Sequence, residues 1–204
     1  MEFHIENTAV YGLHKAMIAS GNAMRTEMAD NTKAADEKDV KRACALGSTG
    51  TGEGHDNWLN GVIVQFDLYA PLYMWKQIQR YHFLDFVSSQ STMHRLTKFN
   101  VKDQCVSDTD PEIVERYTEL LEAYNGNGGP EDPAEKKKLW RTLVASLPCG
   151  FVLGATMTTN YRQLKTIYRQ RKNHRLDEWH EFCDWCETLP MFLELCQGAK
   201  GEEQ

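Results

Sequence analysis

The sequence predicts a fold of the α/β class, in which strands are interleaved with amphipathic helices. Hydrophobic side chains alternate along residues 62–68 and again along 151–157, which is the two-residue period of a β-strand. Between and after these segments, apolar side chains recur every three or four residues, as they do on the buried face of a helix. Strands and helices therefore alternate along one chain.

In the first half of the chain we predict two helices, a loop and a strand. Residues 8–25 and 35–46 have helical patterns and are separated by a polar stretch. Residues 47–54 are rich in glycine and form a predicted loop, which lacks the Gly-Lys-Ser/Thr ending of a P-loop. The strand over 62–68 is followed by Pro71, which suits the first turn of a helix, so this strand passes directly into a helix.

Two further helices are predicted before the second strand. One begins at Asp110 and ends in the glycine- and asparagine-rich residues 125–130. The other begins at Asp132, which forms a capping box with Glu135, and ends before Pro148. The apolar side chains on the predicted buried faces are Ile113, Tyr117, Leu120, Leu121 and Tyr124 in the first helix and Leu139, Leu143 and Leu147 in the second.

The second strand is followed by two predicted helices, which begin near Asn160 and Leu176. Positions 160, 164, 167 and 171 of the first helix project to the same side. Arg171 therefore shares an apolar face with Leu164 and Ile167, where a charge is costly unless it meets a partner or a ligand.

Two interpretations of Arg171 fit this position. Either it forms a salt bridge with an acid such as Asp85 or Asp177, or it binds an anionic ligand. Arg162 and Arg169 lie on another face of the same helix, where a solvated charge is the default.

The six cysteines show no spacing typical of a disulfide framework. Cys183 and Cys186 follow His180 in a His-x-x-Cys-x-x-Cys pattern, but they also fall at helical spacing on an apolar stripe with Trp179 and Phe182. A structural zinc site needs a second pair of ligands, so a role in the core is favoured and no metal site is predicted.

Composition excludes several functional classes. The chain has 204 residues, of which 41% are hydrophobic and 25% are charged, and this predicts one globular domain over residues 1–204. No apolar run approaches the roughly 20 residues that span a bilayer, and residues 1–6 lack the features of a signal peptide, so we expect a cytoplasmic protein without membrane association. A net charge of −6 argues against binding of nucleic acid.

A local cluster of basic side chains nevertheless favours a small anionic ligand. The cluster comprises Lys165, Arg169, Arg171, Lys172, His174 and Arg175.

Two segments resemble the flavin-dependent thymidylate synthase (ThyX) family. Gly54-His55-Asp56, followed by the strand over 62–68, resembles the Gly-His-Glu turn of the family, and Pro71 and Gln77 are in matching places. In the second segment, Asn160-x-Arg162-x-Leu164, followed without a gap by Arg171, is similar to the family's Asn-x-Arg-x-Leu helix and its essential arginine.

The central signature of the family is eroded between these segments. Arg80 and His82 fall on the ends of the family's Arg-His-Arg, so only the first arginine is kept. With one inserted residue, Ser91 aligns with the last serine of Ser-x-Asn-Glu-x-Ser-x-Arg, and Arg95 is the candidate substitute for the arginine. The places of the signature's Asn, Glu and Arg hold Ser88, Ser89 and Met93, and Val144 stands at the arginine of the family's Ala-Arg-x-x-Leu-Pro.

The resemblance implies a mixed sheet packed by helices and a homotetramer that binds FAD and dUMP between subunits. It also implies that the cofactor supplies the chemistry, since reduced flavin carries the methylene group of methylenetetrahydrofolate to the base, with NADPH as the reductant. The apolar stripes of the helices from Asn160 and Leu176 favour self-association as well.

The resemblance further implies roles for single residues. Arg171 would polarise the uracil ring. The nucleotide-binding residues would be Gln77, Arg80, Ser91, Arg95 and Arg171, and the flavin-binding residues would be His55, Arg80, His82, Asn160 and Arg162. Three of these have a structural alternative: His55 caps the loop, Ser91 bonds to the backbone, or His82 is a satisfied core imidazole.

Several functions stay open at this stage. The first is a FAD-dependent methylation of dUMP to dTMP, and the second is a noncatalytic nucleotide-binding or sequestering protein on the same fold. A flavoprotein with changed chemistry is a third. Each lost charge-assisted contact costs about 1.5–3 kcal/mol, so three or four losses would abolish binding unless Arg95, Lys76 or His94 compensates. The noncatalytic hypothesis therefore stays open beside the enzyme.

Overall fold

The computed structural model describes residues 1–30, 32–50, 52–126 and 129–198. Within these ranges, four strands form one antiparallel sheet in the order β1-β2-β4-β3, so β1 and β3 are its edges. The strands are β1 (His4–Tyr11), β2 (Ile63–Pro71), β3 (Asp85–Ser89) and β4 (Val152–Asn160). The predicted α/β class, with a sheet packed by helices, is confirmed.

Helices connect and flank the strands. They are α1 (Leu13–Ala19), α2 (Glu37–Gly47), α3 (Leu72–Ile78), α4 (Thr92–Arg95), α5 (Val101–Gln104), α6 (Pro111–Asn125), α7 (Pro133–Ala145), α8 (Tyr161–Arg171), α9 (Asp177–Thr188) and α10 (Phe192–Cys196). Single turns of 3-10 helix occur at Asn22–Met24, Asn57–Gly61 and Leu96–Lys98. Three residues of predicted loops, Thr51, Asn127 and Gly128, lie outside the described residues.

Three of the predicted helix starts are confirmed by their caps. The side chain of Asp110 accepts a hydrogen bond from the amide of Glu112, and that of Asp132 accepts bonds from the amides of Ala134 and Glu135. Asn160 caps α8 in the same way, through the amide of Gln163 at 2.9 Å. These side chains satisfy amides that the first turn of a helix leaves without a partner.

The prediction of a helix over residues 8–25 is wrong at its beginning, since β1 extends to Tyr11 and α1 starts at Leu13. Gly12 separates the two with a φ of 78°. A Cβ atom at this position would lie 2.6 Å from the carbonyl oxygen of Gly61, so only glycine fits. Pairing of β1 within the sheet overrides the weak helical pattern of its sequence.

Strand β3 was not predicted, because its sequence has no alternation that separates a buried face from an exposed one. All five of its side chains are exposed, including Phe86 at 45% and Val87 at 57%. The sequence of such an edge strand lacks the alternation of buried and exposed side chains by which a strand is predicted.

The described residues form two compact units. The first unit comprises residues 1–4, 68–80 and 86–156, and its core is built mainly by α5, α6, α7 and the start of β4. Buried side chains of this core are Leu96, Val101, Cys105, Tyr117, Leu121, Leu143 and Phe151. The hydroxyl of Tyr117 donates to the carbonyl of Leu143 at 2.8 Å, which ties α6 to α7.

The second unit comprises residues 5–67, 81–85 and the described chain from Met157 onward. Its core is rich in aromatic side chains: Phe66, Phe182 and Trp185 contact one another, and Trp179 packs on Phe182 with ring centroids 5.5 Å apart. The apolar stripes of α8 and α9 are buried in this core. The prediction that these stripes take part in self-association is therefore wrong.

The two cysteines of the His-x-x-Cys-x-x-Cys pattern belong to this core. Burial raises the pKa of Cys183 to about 11 and raises that of Cys186 as well, which keeps both thiols protonated. His180 turns instead to Asp177, with 3.6 Å between Nδ1 and Oδ1.

Among the helices of the described chain, none combines the length and apolar character needed to cross a membrane.

Candidate functional site

The centre of the second unit is a set of ionic contacts between α8 and the glycine-rich loop. Lys165, which is fully buried, donates from Nζ to the Asp56 carboxylate at 2.7 Å and to the carbonyls of Gly47 at 2.7 Å and Thr49 at 2.8 Å. Asp56 is 1% exposed. Each Lys165 proton therefore meets an acceptor, which offsets the cost of burying the ammonium group.

Two arginines complete this arrangement. Arg162 donates from Nε to the second oxygen of Asp56 at 3.1 Å. Arg169 donates to the carbonyls of Ser48 at 3.3 Å, Thr49 at 3.4 Å and Cys196 at 3.2 Å. We call Asp56, Arg162, Lys165 and Arg169 the loop clamp.

The loop clamp keeps Asp56 ionised. Burial alone would raise the pKa of this carboxyl, but the hydrogen bonds and charges of Lys165 and Arg162 outweigh burial, so the pKa lies below its ordinary value. Asp56 is therefore ionised at neutral pH and pairs with the ammonium group of Lys165.

Four of the predicted flavin residues, His55, His82, Asn160 and Arg162, lie in the second unit. His55 directly precedes Asp56 and is exposed, and Asn160 and Arg162 lie in the first turn of α8. The Asn160 side chain caps the helix, and Arg162 is 35% exposed. His82 is exposed, so the alternative of a satisfied core imidazole is wrong for it.

Arg171 lies at the end of α8 on a platform of aromatic rings. Its guanidinium carbon is 4.5 Å from the ring centroid of Trp179 and 5.4 Å from that of Tyr81, and its Nε donates to the Tyr81 hydroxyl at 2.6 Å. Asp177, one of the two acids considered as partners, contacts His180. Cation–π contacts and a phenol thus hold a half-buried guanidinium, a kind of partner that the sequence analysis did not consider.

Charges of both signs surround His174, which follows Arg171 in the chain. Burial, followed by the charges of Arg171, Arg175 and His180, lowers the pKa of His174, and the charge of Glu178 opposes this shift. A charged arginine fixed on ring faces is suited to an anionic or polarised group.

The predicted nucleotide residues other than Arg171 lie in the first unit. Arg80 and Arg95 are exposed, and Gln77 is half-buried on α3. The Ser91 hydroxyl accepts a hydrogen bond from the His94 amide at 3.2 Å and lies 2.9 Å from the ring Nδ1 of His94. Ser91 therefore caps α4, which confirms its structural alternative.

The sequence analysis missed the loop clamp. It placed Lys165 in the basic cluster for an anionic ligand and treated Arg169 as solvated, whereas both cations bind the loop. A signal was present: Lys165 lies four residues after Tyr161 and next to Leu164, and all three are fully buried. The argument applied to Arg171 would have identified it.

Neither a protein-family profile nor a curated protein sequence matches this chain. Solved structures do match. The flavin-dependent thymidylate synthase ThyX from Helicobacter pylori, complexed with FAD and dUMP, superposes with a TM-score of 0.68 at 15% identity, covering 97% of this chain and 98% of the other. Another structure of Thymidylate Synthase X from Helicobacter pylori with FAD and dUMP gives 0.66 at 14% identity with the same coverage. The chain therefore has a ThyX-like fold.

Proposed function

We propose that this chain is a FAD-dependent thymidylate synthase-like protein that binds a dUMP-like nucleotide and methylates dUMP to dTMP. The observation that carries the proposal is the guanidinium of Arg171, which is fixed on the rings of Trp179 and Tyr81 at the end of α8. The sequence resemblance assigns the polarising arginine to this position. The fold shared with FAD- and dUMP-bound synthases supports the same assignment.

The donors of the second unit fit a flavin. His55 is exposed. Among the described residues, Arg162 donates a hydrogen bond to Asp56 through Nε alone, so its two terminal nitrogens are available to a ligand. Bound flavin would supply redox and one-carbon transfer chemistry, with methylenetetrahydrofolate and NADPH as further substrates. The chain would hold that flavin through His55, His82, Asn160, Arg162 and Arg80.

The chain's own contribution is binding and polarisation. Arg171 would place a permanent positive charge against a carbonyl oxygen of the uracil ring and stabilise negative charge that develops there. Gln77, Arg80 and Arg95 would hold the rest of the nucleotide. The hydroxyl oxygen of Ser91 accepts the bond that caps α4, and its hydrogen would donate to a nucleotide without breaking that cap.

A noncatalytic nucleotide-binding or sequestering protein is the second candidate. It is favoured by the signature region itself, in which Ser88 and Ser89 are exposed and replace the Asn and Glu that the synthase signature requires. Each lost charge-assisted contact would cost about 1.5–3 kcal/mol of binding, while Arg171 stays in place as a group that can hold a nucleotide.

Flavin binding decides between the two candidates. The purified protein is titrated with FAD, and its absorbance is recorded before any FAD is added. We expect a yellow protein or saturable binding, followed by dUMP-dependent formation of dTMP with methylenetetrahydrofolate and NADPH. A colourless protein that binds no FAD but binds dUMP would replace the enzyme with the binding protein.

We further propose that the protein is a cytoplasmic homotetramer of single-domain chains. Exposed apolar side chains on β3 and α4 support self-association, namely Phe86, Val87 and Met93 at 45%, 57% and 54% exposure. Light scattering at micromolar concentration should give a mass above that of the monomer. Val87→Asp should lower that mass, whereas Ile113→Asp, at an exposed apolar position of α6, should leave it unchanged.

A further inference from the structure

The hydroxyl group of Tyr81 contacts two side chains of the last turn of α8. Its oxygen accepts the hydrogen bond from Nε of Arg171 at 2.6 Å, and its hydrogen donates to Oε1 of Gln170 at 3.1 Å. A phenol has a single hydrogen to donate, and the carbonyl oxygen of Gln170 can only accept, so this hydrogen points away from Arg171. The hydroxyl oxygen therefore presents a lone pair to the guanidinium group.

The segment that carries Tyr81 is held by its own contacts. The ring of Tyr81 packs against that of Trp179 with centroids 6.0 Å apart and an angle of 72° between the planes. Phe83, two residues further on, has a φ of 63°, in the left-handed region that a bulky side chain rarely adopts. The buried Thr159 donates from its hydroxyl to the carbonyl of Phe83 at 2.7 Å. Such a backbone conformation persists only where surrounding contacts fix it, so the place of Tyr81 does not depend on a ligand.

The bond to Tyr81 determines how Arg171 can meet a ligand. A guanidinium group carries N–H donors on Nε and on its two terminal nitrogens, all in one plane. A side-on pair with a phosphate or a carboxylate uses the Nε hydrogen together with a terminal hydrogen. Here the Nε hydrogen is donated to Tyr81, so a side-on pair would have to break this bond. A ligand is therefore met by the terminal nitrogens.

We propose that Tyr81 is the positioning residue of Arg171: by accepting from Nε, it fixes the guanidinium plane on Trp179 and directs the terminal nitrogens towards a carbonyl oxygen of the base. This inference rests on the proposed function and adds to it the group that orients the polarising arginine. A charge that is oriented before the ligand arrives costs no reorganisation when it acts. Tyr81 touches no reacting atom and acts through Arg171 alone.

Removal of the hydroxyl tests this role. Tyr81→Phe deletes the oxygen and keeps the ring beside Trp179. Tyr168→Phe is the matched control, because Tyr168 lies on α8 as well and its hydroxyl donates to Glu187 at 2.6 Å. Calorimetry gives the dissociation constant of dUMP, and thermal unfolding gives the stability. Both are measured for the wild type, the two variants, Arg171→Ala, and Tyr81→Phe combined with Arg171→Ala.

We expect Tyr81→Phe to weaken dUMP binding about threefold to tenfold, the scale of one ordinary hydrogen bond. Tyr168→Phe should bind dUMP as the wild type does, and the two variants should unfold at similar temperatures. In the Arg171→Ala background, Tyr81→Phe should have no further effect on affinity, because the residue through which it acts is gone. Unchanged dUMP affinity in Tyr81→Phe, or equal weakening in both backgrounds, would overturn the proposal.

The guanidinium of Arg171 gives a readout that needs no nucleotide. In an NMR spectrum that correlates guanidinium protons with their nitrogens, the Nε–H signal of Arg171 is identified by its absence in Arg171→Ala. This signal should be present in the ligand-free wild type and in Tyr168→Phe, and it should be lost to fast exchange with water in Tyr81→Phe. Equal exchange in the wild type and Tyr81→Phe would show that Tyr81 does not hold the guanidinium.

Failure of the proposed function has a different pattern. If the wild type binds no dUMP, the proposed function is wrong, whereas the positioning role of Tyr81 is supported as long as exchange of the Arg171 Nε–H depends on its hydroxyl. If the wild type binds dUMP but neither affinity nor exchange depends on that hydroxyl, the positioning role is wrong and the proposed function stands.

Discussion

The α8–loop region and the β3–α4 region each carry part of the resemblance to the synthases, but they use their polar side chains differently. Around α8, the matched Asn160 and the loop clamp are engaged in caps and buried ion pairs. In β3 and α4, side chains at signature positions are exposed, and the Ser91 side chain contacts His94, three residues further along the chain. A match to a family motif therefore does not by itself identify a ligand contact, because some of the matched side chains cap helices or form ion pairs within the chain.

The largest effect that tests this comparison is on stability. Among the described residues, Lys165→Ala leaves the buried Asp56 with Arg162 as its only cation, and breaking a buried pair in this way costs about 3–5 kcal/mol. Urea unfolding should show this decrease in the free energy of unfolding. Lys172→Ala, at an exposed position next to the end of α8, should change it by less than about 0.5 kcal/mol.

Arg171 comes next, and here the effect should appear in binding. Arg171→Ala should weaken nucleotide affinity by about 1.5–3 kcal/mol, the scale of a charged hydrogen bond, and leave unfolding cooperative. Calorimetry with dUMP measures the affinity and thermal unfolding measures the stability, with Arg141→Ala, at an exposed position of α7, as control. A clear loss of stability without loss of affinity would make Arg171 a structural residue.

A third prediction concerns pH. Because the pKa of Asp56 is lowered in the folded protein, its contribution to stability is complete above its unfolded pKa and is lost as the pH falls through the lower, folded value. Stability of the wild type should decrease below about pH 4 more steeply than that of Asp56→Asn. Parallel unfolding curves from pH 2 to pH 6 would contradict the ion pair.

The smallest effect is expected in the β3–α4 region. Ser91→Ala removes the cap of a helix that is one turn long, so the free energy of unfolding should fall by about 1 kcal/mol or less. Ser88→Ala, on the exposed face of β3, serves as the control and should have no effect. If Ser91→Ala also weakens dUMP binding, Ser91 contacts the nucleotide in addition to capping the helix.

The sequence was sufficient for the elements that carry local signals. Asp110, Asp132 and Asn160 each mark a helix start by a short-range hydrogen bond to an amide two or three residues on, and a reader of the sequence can see such spacing. Alternation identified β2 and β4 because their side chains are buried on at least one face.

The remainder depends on contacts between distant residues. Strands β1 and β3 are edges whose own patterns are weak, and pairing defines them. The Lys165–Asp56 pair joins residues 109 positions apart, so spacing along the chain does not reveal it. For Arg171, helical periodicity identified a special position, but only the structure identified aromatic rings as its partners.

The turn at Gly12 has a consequence for how the chain tolerates mutation. Its left-handed φ and the 2.6 Å approach of a Cβ to the Gly61 carbonyl both come from the backbone, and no side-chain chemistry is involved. The neighbouring Tyr11 is exposed and Leu13 is half-buried. In a saturation library, position 12 should thus be a single intolerant site between two permissive ones, although it lies on the surface where substitution is usually free.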